Sequence, residues 1–294
     1  MVGSYAVQLH FDGDIASDHM VSMRTLGKTL SHLQNAVDRA CLEINYGALW
    51  KHSKMPQKLW PDAELLVGPS YNGGYIIDFV KKSDRVKAAI ERVNLALKTA
   101  VEKMTSEGIN RTQALAEEVA QRRAQITSGL VKPSTHSELL RTGDPKIIRT
   151  YGDRAIVREI DQILAIIRSK ASGESSFEMT LATKEPIRYT FGRDEAVAFH
   201  QVVSRREIGQ PVIYQARIRS LDRISKTAKI TNLEADRQSN LYFGSEGALL
   251  SLIRPFEKNE VIEFYGAPWI EYGAFDPGAG DILFIALVRD LGEM

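Results

Sequence analysis

VIYQARIRSLD (212–222), TAKITNLEA (227–235), QSNLYFG (238–244), EVIEFYG (260–266) and DILFIALVR (281–289) are the segments on which the reading of this chain turns. QSNLYFG is rich in the aromatic and alternating residues that suit a pleated surface, and the other four carry the same strand pattern. Between the third and fourth the period changes: Leu249, Leu252, Ile253 and Phe256 are spaced for one face of a helix. Ser245 precedes that run, where its hydroxyl can accept an orphan N–H of the first turn. The order β-β-β-α-β-β within residues 212–291 predicts a small OB-like barrel, with an SH3-like barrel as the nearest competitor.

A register follows for the first hairpin. If Ile218 faces Ile230 inside the barrel, Arg219 faces Lys229 outside it, with Arg217 one step along. Like charges directly opposite one another repel. Either the side chains splay into water, or an anion lies between them. Four aromatics, Tyr265, Trp269, Tyr272 and Phe275, fall around the fourth strand and the loop that follows. They suit stacking on a base, anchoring a protein partner, or, for at least two of them, plain core packing.

Ahead of the barrel the sequence predicts an α/β and helical region. YAVQLHFD (5–12) alternates as a strand, and Leu26, Leu30, Leu33, Val37, Cys41 and Ile44 mark one face of a helix over 22–46. Gly27 within it leaves room for a close backbone approach. A hairpin follows, AELLVG and YIIDFV around a glycine-rich turn at 69–74, making a β-α-β-β unit. Helices over 83–107, 111–127 and 153–171 complete the region, and 129–150 carries the Pro, Gly and Ser of a linker. SGESS (172–176) is the expected boundary, giving residues 1–171 as one domain. Residues 172–294 then form a hairpin plus a five-stranded barrel, and the whole is an α+β chain.

Composition narrows the function classes. No apolar run approaches the ~20 residues that span a bilayer, and the first residues lack the basic start of a secretory signal. A cytoplasmic protein without membrane attachment is expected. A lone cysteine, Cys41, excludes an internal disulfide and a cysteine zinc site. Net charge is +1, but residues 81–170 hold 18 Lys/Arg against 11 Asp/Glu, and residues 172–294 hold 14 against 18. An acidic barrel half opposes nucleic acid, whose binding rests on phosphate neutralisation.

No phosphate-binding loop, nucleophile elbow or zinc-helix motif is present. Asp12 and Asp14, near Asp18 and His19, offer oxygen and imidazole ligands for a divalent metal, but read more simply as turn acids. Asp276 and Asp281 invite the same two readings. No catalytic residue, metal site or cofactor is therefore assigned. The helix over 111–127 has a thin stripe, Leu115, Val119 and Ile126, too small to hold it by burial alone. A second copy packed along that stripe would supply the missing contact, the alternative being the helix over 153–171 folded back over it.

Two stretches, LHFDGDIASDHMVSMRTLGKTLSHLQNAVDRA (9–40) and GAPWIEYGAFDPGAGDILFIAL (266–287), resemble bacterial and phage proteins of two domains, an α/β unit followed by a small β-barrel. The resemblance implies a prokaryotic or mobile-element setting, in which defence and counter-defence proteins are common. It implies no site residues. The leading expectation is a non-enzymatic, homo-oligomeric protein that binds another protein. The second is a nucleic-acid-binding OB module using Arg217, Arg219 and Lys229, and the third a metal-dependent hydrolase on Asp12 and Asp14.

Overall fold

A computed structural model of the chain describes residues 5–68, 75–81, 83–104, 115–184, 186–278 and 280–291. In chain order these form β1 (Val7–Gly13), α1 (Met23–Tyr46), α2 (Trp60–Ala63), β2 (Leu65–Val67), β3 (Tyr75–Lys81) and α3 (Asp84–Met104). Then come α4 (Leu115–Thr127), β4 (Ser134–Thr135), α5 (His136–Thr142), α6 (Tyr151–Arg168), β5 (Ser175–Leu181), β6 (Ile187–Phe191) and α7 (Arg193–Val203). The last part holds β7 (Arg206–Ile208), β8 (Val212–Asp222), β9 (Thr227–Asn232), β10 (Arg237–Phe243), α8 (Glu246–Leu250) and α9 (Ile253–Glu257). It ends with β11 (Val261–Glu271), β12 (Ile282–Leu287) and α10 (Val288–Leu291). The expected turn at 69–74 and helix start at 111–114 lie outside the described residues.

The chain divides into two compact units: Met1–Leu49, Ser53–Ile109 and Tyr151–Arg205 form one, and Trp50–His52, Asn110–Thr150 and Arg206–Met294 the other. In the first, β2-β3-β1-β5-β6 make an antiparallel sheet. Val7, Leu9 and Phe11 alternate onto its buried side with Ile77, Phe79, Phe177 and Met179. The apolar stripes of α1, α3, α6 and α7 pack against one another and complete that core. Ser22 caps α1 by accepting the Thr25 N–H at 3.1 Å, which is why the helix starts there. Gly27 has open space above it, so the close approach expected there is absent. Gly152 is the glycine that allows one, to the Glu43 carboxylate.

The hairpin β5–β6 pairs with β1 from Val7↔Leu181 to Gly13↔Ser175. The sequence places this hairpin beside the barrel; the pairing places it in the first sheet, and the units part after Arg205 rather than at 171. Alternation of Phe177, Met179 and Leu181 announces a strand with one buried face, but says nothing of whose core that face joins.

In the second unit β8, β9, β10, β12 and β11 pair in that order, and β11 returns to β8, closing a five-stranded barrel. Among these five strands β10 and β12 run parallel and the other pairs antiparallel. Counted within the barrel the order is 1-2-3-5-4-1, with helix between the third and fourth strands: an OB-like barrel. That helix is broken in two at Ser251–Leu252, and Ser245 caps the first piece through Ala248 N–H at 3.3 Å. Leu249 and Leu252 plug the interior. Tyr214, Phe264, Phe284 and Phe243 form a ring-to-ring chain through it, with centroids 5.5, 5.6 and 5.3 Å apart. At Gly266 an added Cβ would lie 2.6 Å from Ile282 Cγ2, so only glycine fits the bend of β11 against that core.

The expected linker at 129–150 is part of this unit. β4 pairs with β8, Thr135 and Glu138 close a capping box on α5, and Leu139 enters the barrel core. Thr135 is a cap and Ser137 a donor to Glu234, not signs of a tether.

Candidate functional site

The outward positions of β8, β9 and β10 form one surface. Arg217 lies beside Thr231 and Thr231 beside Gln238; Ser220 lies beside Lys229 and Lys229 beside Asn240; Thr227 lies beside Tyr242. Strands stand about 4.8 Å apart, so this is a grid three strands wide. Arg217, Arg219 and Lys229 are all exposed on it.

Ile218 does face Ile230, as the alternation requires. One residue later the ladder slips between Ile218 and Ser220, so Lys229 pairs with Ser220 and Arg219 is the extra residue of a β-bulge. Arg219 donates from Nε to Thr231 Oγ1 at 2.9 Å. The direct Arg219–Lys229 opposition expected from the sequence is thereby relieved, while all three cations stay on one face.

At the Tyr242 end the surface turns aromatic. The half-exposed Tyr242 and Trp269 rings meet edge to face at 4.9 Å, and the Arg206 guanidinium sits 5.2 Å from the Trp269 ring. Arg206 is held from its other side by Glu271 at 2.8 Å. Beside this pair Asp281 accepts from Asn240 Nδ2 at 3.0 Å and from Lys51 Nζ at 2.9 Å. Lys51 thus neutralises Asp281, as Arg206 neutralises Glu271. Burial, then the Asp281 charge, push the Tyr242 phenol above its ordinary value, keeping it neutral. Arg237 lies over Trp50, 5.1 Å from the ring, at the start of β10.

The remaining sequence candidates fall elsewhere. Tyr272 and Phe275 are buried, so two of the four aromatics belong to the core. Tyr265 is half-buried and packs with Ile126 and Ile208 against Ala267, Ile285 and Ala286. The stripe on α4 faces the same side of the barrel: Val119 reaches the backbone at Gly244, and Leu115 and Ile126 are half-buried. That stripe has an intramolecular cover, given by the barrel and not by the helix over 153–171. Asp12 Oδ1 accepts the Gly13 N–H at 2.8 Å and Asp14 Oδ2 the Glu174 N–H at 3.0 Å, the work of turn acids. Asp276 accepts the Lys51 and Gly278 N–H groups at 2.8 and 2.9 Å. Among the described residues no group of three or more His, Cys, Asp or Glu is placed to hold a metal, and no helix is long and apolar enough to cross a membrane.

Lys51, Arg206, Asn240 and Tyr242 were not singled out from the sequence. Tyr242 and Asn240 were reachable, since both share the outward parity of their strand; Lys51 lies some 230 residues from its partner and carries no local signal. The unit boundary also changes the electrostatics. Residues 50–52, 110–150 and 206–294 hold 18 Lys/Arg against 17 Asp/Glu, so the acid excess read from residues 172–294 disappears.

Comparison with family models, with curated proteins and with solved structures gives no match.

Proposed function

We propose that the chain is a binding module that holds a single-stranded nucleic acid across the outer surface of β8, β9 and β10. One observation carries this reading: Arg217, Arg219 and Lys229 stand exposed on adjoining strands, and none of the described carboxylates forms an ion pair with them. Such a line of cations tracks a phosphate backbone, and the gain is the release of its counterions. The Tyr242–Trp269 pair at the end of the line offers ring faces to bases, a contact that tolerates any sequence. Gln238, Asn240 and Thr231 between them supply neutral hydrogen-bonding groups. With the unit's charge balanced, the placement of cations governs rather than their total.

A protein partner on the same surface is the alternative. Trp269 favours it, because a half-exposed tryptophan is a common interface anchor. Fluorescence anisotropy with a labelled oligothymidylate, titrated at several salt concentrations, separates the two. A nucleic-acid module binds with an affinity that falls steeply and log-linearly with salt. An oligonucleotide that fails to bind at low salt sinks the proposal and leaves the protein reading.

A further inference from the structure

A recess opens into one end of the barrel, with about 190 Å3 of empty space including its mouth. Phe275, Pro277 and Ile282 form its apolar wall, and His136, Tyr214 and Asn232 its polar one. His136 is only 3% exposed, yet among the described residues neither ring nitrogen has a hydrogen-bond partner; the Tyr214 hydroxyl, on a residue 1% exposed, has none there either. Their rings lie 5.5 Å apart between centroids without bonding each other. Buried polar groups in folded proteins are almost always satisfied, so three orphan atoms around one recess point to an occupant.

We infer that the recess binds one small uncharged group that both donates and accepts a hydrogen bond, a water or a hydroxyl, seated between His136 and Tyr214. The enclosed part takes one water-sized body beside a polar wall that offers more than two hydrogen-bonding atoms, which are the conditions for an ordered internal molecule. A neutral imidazole and a phenol each have one donor and one acceptor, matching such a group. Burial lowers the His136 pKa, so the ring is neutral and gives an anion no counter-charge. Glu234, the acid whose charge acts on His136, is turned to Ser137, accepting from its N–H and hydroxyl at 3.0 and 2.7 Å. This site is separate from the outer surface and does not depend on the nucleic-acid reading.

Rotating-frame NMR on the full-length chain with labelled histidine tests it, together with a methanol titration. The expected result is a cross peak between a His136 ring proton and a long-lived water, lost in Tyr214→Phe. If methanol then shifts the His136 ring saturably and removes the water peak, the site accepts a ligand hydroxyl. If methanol changes nothing, the occupant is solvent alone, and the inference still holds. Absence of both the water peak and a methanol shift in the wild-type chain means a dry cavity and overturns it. The wild-type measurement stands even if Tyr214→Phe fails to fold.

Discussion

Both units expose one face of a β-sheet to solvent, and the two faces treat their charges differently. On the sheet of the first unit, polar groups are matched locally: Gln8 donates to Asp78 at 2.9 Å, and Glu178 is shared by His10 at 3.3 Å and Arg188 at 3.9 Å. On the barrel, Arg217, Arg219 and Lys229 share a face with no acid among the described residues paired to them, and the carboxylate at the aromatic end, Asp281, is already met by Lys51. Exposed ion pairs contribute little to stability, so pairing on the first sheet is inexpensive and unremarkable. Leaving three cations unpaired on adjacent strands costs some repulsion, and a ligand that brings negative charge would recover it. The contrast between the two faces lies in charges left unmatched, not in the number of charges.

The largest expected effect breaks the barrel side of this contrast. Arg217→Glu with Lys229→Glu removes two phosphate contacts and adds repulsion; oligonucleotide affinity should fall on the order of 100-fold at low salt, and the salt slope should drop by about two. Anisotropy titration at four salt concentrations reads both. Next comes Tyr242→Ala, which removes a stacking platform valued at roughly 1–3 kcal/mol; binding should weaken about tenfold or more while the salt slope stays unchanged. An altered slope would mean that Tyr242 acts through Asp281 and Lys51 rather than through a base.

A smaller effect concerns pH. His136 has its pKa lowered by burial, so the unfolded chain binds a proton that the folded chain refuses. Stability attributable to this ring is present above the unfolded value of about 6.5 and is lost as pH falls below it. Thermal melts from pH 7.5 to 5 should therefore show a decline that His136→Gln flattens. Smallest of all is the control on the first sheet. Arg188→Glu there should change oligonucleotide affinity by less than about twofold, because a partly screened surface charge off the ligand path contributes little. A loss comparable to that of the barrel variants would erase the difference between the two faces.

Much of the barrel was legible in the sequence because period two and helical spacing are local signals. The Ile218–Ile230 register, the Ser245 cap and the succession of strands and helix along the chain all follow from them, though not the pairing that closes the barrel. The bulge at Arg219 was not legible, since an extra residue answers to the curvature of a closed sheet rather than to its own neighbours. Nor was the partner of Ser175–Leu181: its alternation fits any apolar layer, and the true partner, β1, lies some 165 residues earlier. Residues 134–142 read as a tether because Ser, Thr and Pro serve turns, caps and linkers alike. Of the candidate site, the three cations were found by parity; Lys51 and Arg206 needed the folded chain to bring them to the aromatic pair. His136 looks like any scattered histidine until its burial is known.

The central claim is that ligand binding belongs to the barrel's outer surface and not to the other exposed sheet. Amide chemical-shift mapping of the full-length chain with a single-stranded oligonucleotide addresses it directly. The account predicts saturable shifts clustered at Arg217, Arg219, Lys229, Asn240 and Tyr242, with Gln8, His10, Glu178 and Arg188 unmoved. Shifts centred on the first unit's sheet, or none anywhere at low salt, would contradict it.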